Sequence, residues 1–175
     1  PLLDEYIEAY DGKDADKIRL QATLYFQAAN RSRLQEWTKS ASLLDAFLKK
    51  YPDPKSNLYL PFALYDRANC YYAESENDPA FDNVTRIEEE FPGVAIMESN
   101  YALKGNILES LSKPDEAETY YKKALELAET KKNDLVAGEC LFYLTALVGK
   151  EKIGKTENPR VAEAVPYYNK FWDQY

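Results

Sequence analysis

The stretch Leu43-Leu44-Asp45-Ala46-Phe47-Leu48-Lys49-Lys50-Tyr51-Pro52 recurs along the chain, and no other feature limits the fold as strongly. Leu2-Leu3-Asp4-Glu5-Tyr6-Ile7-Glu8-Ala9-Tyr10 stands in the same frame 41 residues earlier. A weaker copy, Asn83-Val84-Thr85-Arg86-Ile87-Glu88-Glu89-Glu90-Phe91-Pro92, lies 40 residues further on, and Tyr167-Tyr168-Asn169-Lys170-Phe171-Trp172-Asp173-Gln174-Tyr175 closes the sequence. Self-similarity at a fixed period of this size is the mark of a helical repeat array, in which each unit buries its apolar face only against its neighbours.

Composition agrees and removes several classes of chemistry. Nine prolines and six glycines are few for an all-β or disordered chain of 175 residues, while 15 tyrosines suit aromatic-rich helix packing. A net charge of −8 makes nucleic acid a poor partner. With no histidine and only two isolated cysteines, Cys70 and Cys140, zinc ribbons, Cys-His nucleophiles and Ser-His-Asp triads are ruled out. The cysteines read as buried unpaired thiols, and no cofactor, metal site or catalytic residue is expected. No apolar run has the length to span a bilayer and no signal-peptide pattern stands at the start, so this segment is not expected to insert into a membrane. The chain begins with Pro1, inside a repeat, and so reads as a segment of a longer protein.

Helical spacing and turn residues predict about nine helices. The first ends near Gly12. Asp14 caps the next, which runs to about Asn30, and a third spans about Glu36 to Tyr51, closed by Pro52-Asp53-Pro54. A helix from the Ser56–Pro61 region to Glu76 comes next. Asp78-Pro79 reads as an N-cap with a first-turn proline, opening a helix that ends at Phe91-Pro92-Gly93. Ile96 to Leu111 is helical, Ser112-Lys113-Pro114-Asp115 turns into the next helix, and Asp134 caps another. Residues 149–158 form the longest break before Asn158-Pro159 starts the last helix. Within it Pro166 is a misfit: either the helix kinks there or it starts late. Short turns imply antiparallel pairs.

These residues resemble the tetratricopeptide repeat, with its aromatic or leucine, small residue, aromatic, alanine, aromatic, apolar and proline positions. One unit reads Leu64, Ala68, Tyr71, Ala80, Val84, Ile87, Pro92, and the next Tyr101, Gly105, Leu108, Ala117, Tyr121, Ala124. An earlier unit reads Leu24, Ala28, Arg31, Ser40, Leu44, Phe47, Pro52, with Arg31 a departure; the last reads Val136, Cys140, Tyr143, Ala164, Tyr168, Phe171. Ala68, Gly105 and Ala117 fall where helices cross, and anything larger would overpack the contact. The resemblance implies an all-α, right-handed superhelical solenoid of antiparallel pairs. Residues 1–12 would be the last helix of a preceding repeat, ahead of repeats over 14–54, 56–93, 95–132 and 134–175. The Ala164, Tyr168, Phe171, Tyr175 ending is similar to repeats of bacterial cell-envelope proteins, the β-barrel-assembly lipoprotein and Tol–Pal coordinator classes, which points to an envelope setting.

The same resemblance implies a concave groove lined by the first helix of each pair, with Asn69 and Asn106 pointing into it. Each offers a donor and an acceptor for an extended peptide backbone. Helical spacing adds Tyr25, Phe62, Tyr65 and Tyr72 as aromatic anchors. A carboxylate clamp is rejected, because Lys104 lies on the wrong face and Ala29 replaces the first asparagine. Glu88-Glu89-Glu90 reads as a solvated face and Lys150, Lys152, Lys155 and Arg160 as a soluble basic insertion. The expected function is a non-enzymatic scaffold holding a protein or peptide partner. The alternative is an assembly segment whose open ends, exposing Leu2-Leu3 and Phe171-Trp172, self-associate or stack on further repeats with the groove empty.

Overall fold

The computed structural model describes residues 17–149 and 159–174, and among them every regular element is an α-helix. The eight helices are α1 (Lys17–Arg33), α2 (Trp37–Lys50), α3 (Leu60–Ala73), α4 (Asn77–Glu90), α5 (Met97–Ser110), α6 (Pro114–Lys131), α7 (Asp134–Gly149) and α8 (Pro159–Gln174). The helix expected over residues 2–11, its Gly12 stop, the Asp14 cap and the basic residues of the 149–158 break lie outside the described residues. The chain divides at Phe91–Pro92 into two compact units, α1–α4 and α5–α8.

In the first unit α1 packs on α2, α2 on α3, α3 on α4, and α1 also touches α3. Its core is Leu20, Ala28, Leu44, Phe47, Leu60, Leu64, Ala68, Val84 and Ile87, all nearly devoid of solvent contact. α2 and α4 end alike: Tyr51 donates its N–H to Phe47 O, Phe91 to Ile87 O, and both residues leave the helical region. The prolines at 52 and 92 impose this, because a proline disfavours helical backbone in the residue before it. Asn57, buried, fastens the α2–α3 loop by donating from Nδ2 to Tyr51 O at 2.8 Å and accepting the Tyr59 N–H at 3.0 Å. Ser40, in the alanine frame, is buried and donates its hydroxyl to Ala28 O at 2.9 Å, so a small residue stands where α2 crosses α1. Arg31 departs from the repeat pattern because it sits in the last turn of α1, exposed, and pairs with Glu36 at 2.9 Å.

In the second unit α5, α6, α7 and α8 pack in sequence, with α5 also against α7. Gly105 explains its own presence. A Cβ built there would fall 2.5 Å from Cε1 of Tyr121, whose ring is fully buried and stacks on Tyr143 at 5.2 Å. Ala117 and Ala124 are likewise wholly buried on the same helix as that ring. Glu98, 5 % exposed, ties the start of α5 to the end of α6: Lys131 Nζ donates to it at 2.6 Å and to Ala95 O at 2.9 Å, and Asn133 Nδ2 donates at 3.2 Å.

Two expected caps are corrected. α4 begins at Asn77, so Asp78 lies within the first turn, and the N-cap Glu76 makes no side-chain cap bond. Asn133, not Asp134, caps α7: its carbonyl oxygen accepts the Ala137 N–H and its Oδ1 the Val136 N–H at 3.4 Å. Asp134 instead places a negative charge in the first turn, where the helix dipole favours it. The expected helix through Glu76 stops at Ala73, and α8 runs from Pro159 through Pro166.

Four turns share one geometry. After α1, α3 and α5, the residues Gln35, Ser75 and Ser112 take φ near +60°, as Lys132 does after α6. In each case the following amide reaches back five residues and the left-handed residue itself reaches back three, as in Glu36 to Arg31 and Gln35 to Ser32. This is the Schellman arrangement, which satisfies carbonyls at a helix end, and glycine usually occupies the position.

Candidate functional site

α3 carries Phe62, Tyr65, Asn69 and Tyr72 at spacings of three and four, which places them along one stripe. All four are partly exposed, whereas Leu60, Ala63, Leu64, Ala68 and Cys70 of the same helix are buried. Tyr25, from α1, reaches α3 through its hydroxyl, which donates to Asp66 Oδ2 at 2.9 Å. Its ring stacks on Tyr59 at 5.3 Å and meets Phe26 at 5.1 Å, so the side chain is held in place by aromatic contacts on more than one side.

Two polar side chains of this face, Asn69 and Asp66, have partners inside the protein. Asn69 Nδ2 donates to Tyr65 O of its own helix at 3.0 Å, so part of its amide is used within α3. Asp66 lies four residues after Phe62 and three before Asn69, on the same side of α3. Burial raises the Asp66 carboxyl above its ordinary range, against the Tyr25 hydrogen bond and the charge of Arg33. Burial, then the Asp66 charge, raises the Tyr25 hydroxyl in turn, so it stays a protonated donor. Sequence reasoning missed Asp66. The available signal was a lone acid inside an aromatic helix, midway between two residues already assigned to the face.

Asn106 belongs to the second unit and is used differently. Its Oδ1 accepts from the Tyr121 hydroxyl at 2.7 Å, and Tyr121 also reaches Glu109 Oε2 at 3.3 Å. Asn106 thus uses its oxygen inside the protein, whereas Asn69 uses its nitrogen. Lys104, discounted as a carboxylate clamp, is 3 % exposed with Nζ 4.6 Å above the Tyr120 ring.

The remaining titratable groups suit packing. Cys70 and Cys140 are buried free thiols; burial lifts both, Cys140 up to about 12, so neither presents a thiolate. Arg86 pairs with Glu90 at 2.8 Å on an exposed part of α4. Among the described residues no group of three or more His, Cys, Asp or Glu could hold a metal ion, and no helix is long and apolar enough to cross a membrane.

No protein-family model and no curated protein matches the chain. Solved structures do. A crystal structure of MamA matches with a TM-score of 0.70 at 15% identity, over 98% of this chain and 87% of that one. MamA 41-end from Desulfovibrio magneticus RS-1 matches with a TM-score of 0.70 at 12% identity, over 98% and 92%. A further MamA structure, from AMB-1, gives 0.63 at 17%, over 98% and 95%. At such identities the likeness shows the fold: an all-helical solenoid of the tetratricopeptide type. The similarity to cell-envelope repeat proteins is not confirmed by these matches.

Proposed function

We propose that the chain is a non-enzymatic protein-interaction scaffold that seats a peptide segment or a partner helix against the α1/α3 face. The observation that carries this reading is the partly exposed stripe of Phe62, Tyr65, Asn69 and Tyr72 on a helix that buries Leu60, Ala63, Leu64, Ala68 and Cys70. Aromatic side chains with polar tips supply contact area at low conformational cost, the usual makeup of anchors in binding surfaces. The Asn69 carbonyl and the Asp66 carboxyl beside them favour a ligand that brings donors: backbone N–H groups of an extended segment, or a lysine or arginine. Asn106 offers its amide hydrogens to an acceptor in the second unit. The tetratricopeptide-type fold supports a scaffold in general, and the peptide-binding face is the finer part of the proposal.

Site-specific photo-crosslinking in the source cell tests it. A crosslinker at Tyr72 or Tyr65 is expected to capture a discrete partner, and one at exposed Asp45 on α2 is not. An Asn69→Ala/Asp66→Asn variant of unchanged melting temperature should lower the Tyr72 product about tenfold, the loss of roughly two ligand hydrogen bonds. Identical products from positions 72 and 45 would place recognition elsewhere.

A further inference from the structure

Several carboxylates of the helices are met by bases of the same chain. Asp45 has Arg67 at 3.2 Å, Glu98 has Lys131 at 2.6 Å and Glu118 has Lys122 at 2.7 Å. Asp66 is treated differently. It is partly buried, and the neutral Tyr25 hydroxyl donates to its Oδ2 at 2.9 Å. Among the described residues it forms no ion pair with a lysine or arginine, and the Arg33 charge acts on it only through space. Arg67, next in the sequence, is turned elsewhere: its guanidinium meets Asp45 on α2 and lies 5.3 Å from the centre of the Tyr71 ring.

An acid set among aromatic residues, with no base of its own, suits a cation. Tyr25 stacks on Tyr59 at 5.3 Å and meets Phe26 at 5.1 Å, while Phe62 and Tyr65 precede Asp66 within one turn of α3. Ring faces attract ammonium and guanidinium groups, more strongly where water is partly excluded. The Arg67 arrangement shows within this molecule that a carboxylate and a tyrosine ring together hold a guanidinium. A ligand's backbone N–H would give Asp66 a donor but leave its charge uncompensated; a basic side chain supplies both.

We infer that the α1/α3 face recognises a lysine or arginine of another protein's segment, with the charged head on Asp66 and the stem along the neighbouring rings. This rests on the scaffold reading and narrows it to a basic ligand residue at one fixed register. Charge argues for another protein as the source. Residues 1–16, ahead of α1, hold six acids and one lysine, Lys13, so that stretch is a poor partner for a carboxylate. A second copy of this chain would bring a net charge of −8 to an acidic site.

The probe is a phage-displayed library of random peptides of about eight residues, long enough when extended to pass the α3 stripe. It is selected on the full chain, and the peptides are then measured on Asp66→Asn, Asp82→Asn and Tyr72→Ala. Asp66→Asn keeps an acceptor for Tyr25, and Asp82→Asn removes the same charge from an exposed position on α4. The selected peptides are expected to share a lysine or arginine at one position. They should bind Asp66→Asn about tenfold more weakly and Asp82→Asn as well as the unaltered chain. Norleucine in place of that base should cost about tenfold on the unaltered chain and nothing on Asp66→Asn. Peptides that need Tyr72 but share no base, or that ignore Asp66→Asn, keep the scaffold reading and overturn this inference. Peptides indifferent to all three variants, or no selected peptide, overturn both. Binding that appears only once Lys13, Lys150, Lys152 and Lys155 are replaced by alanine assigns Asp66 to a base of the chain itself, and overturns the inference as well.

Discussion

Asp66 in the first unit and Glu98 in the second are both carboxylates on the first helix of a pair, and their acidities move in opposite directions. Glu98 has the less solvent, at 5 % exposure, yet its carboxyl is lowered. Burial pushes it up, but hydrogen bonds from the Lys131 ammonium and Asn133 outweigh that push. Asp66 is partly exposed and is raised, because burial meets only a neutral tyrosine donor and a more distant arginine charge. At Glu98 a charged donor outweighs burial, and at Asp66 burial outweighs a neutral one. Glu98 is therefore a structural clamp, whereas Asp66 is held by a single neutral donor from Tyr25.

Removing the Lys131 ammonium should break this contrast most. Lys131→Met leaves Glu98 buried with Asn133 and its own backbone N–H as the remaining donors, and should cost about 2–3 kcal/mol in urea unfolding, below the full buried-pair penalty because Lys131 is itself partly solvated. The Glu98 carboxyl should then rise, as Asp66 does; a Glu98 titration that stays low would refute the donor-charge explanation. Tyr25→Phe removes the donor from Asp66 and should destabilise by about 1 kcal/mol, with the Asp66 carbon resonance titrating still higher and Glu98 unmoved. Asp66→Asn keeps an acceptor for Tyr25 and removes a desolvated charge, so at pH 7 it should leave stability within about 1 kcal/mol of wild type, on the stable side.

The smallest effect is in the acid limb of the pH–stability curve. The Glu98 contribution is present above its unfolded-state pKa and is lost as pH falls through the lowered folded value. The Asp66 contribution has the other sign, present below its unfolded-state pKa and lost as pH rises through the raised folded value. Acidification therefore removes one and restores the other. Asp66→Asn should steepen the acid loss and Lys131→Met should flatten it, which denaturant melts across the carboxylate range will resolve.

Much of the fold was legible from residues whose role is steric. Pro52 and Pro92 end α2 and α4, Ala68 and Ala117 are fully buried, and Gly105 admits the Tyr121 ring. The turns after α1, α3, α5 and α6 were not legible in the same way. Their left-handed residues are Gln35, Ser75, Ser112 and Lys132, and a glycine signal is what sequence reading looks for. Aspartate is a strong cap residue, which is why Asp78 and Asp134 read as caps in the sequence. Each sits instead inside its first turn, where the helix dipole favours the same side chain. At the candidate site, spacing gave the α3 stripe but not the use of each polar atom. That the Asn69 amide turns back to its own helix, and the Asn106 oxygen to Tyr121, depends on neighbours up to 15 residues away.

The neighbour-only packing within each unit also bears on how the chain reaches this state. Among the described residues every substantial helix–helix contact joins elements at most two apart in order. The loops closed on folding are therefore short, and low contact order of this kind goes with folding in about microseconds to milliseconds. With no strand pairing to wait for among the described residues, any helix pair can serve as a nucleus, and a growing chain can consolidate one pair at a time as it leaves the ribosome. Unfolding should run the same way, by peeling of end helices before the middle of a unit opens, which hydrogen exchange would record as graded protection along the sequence.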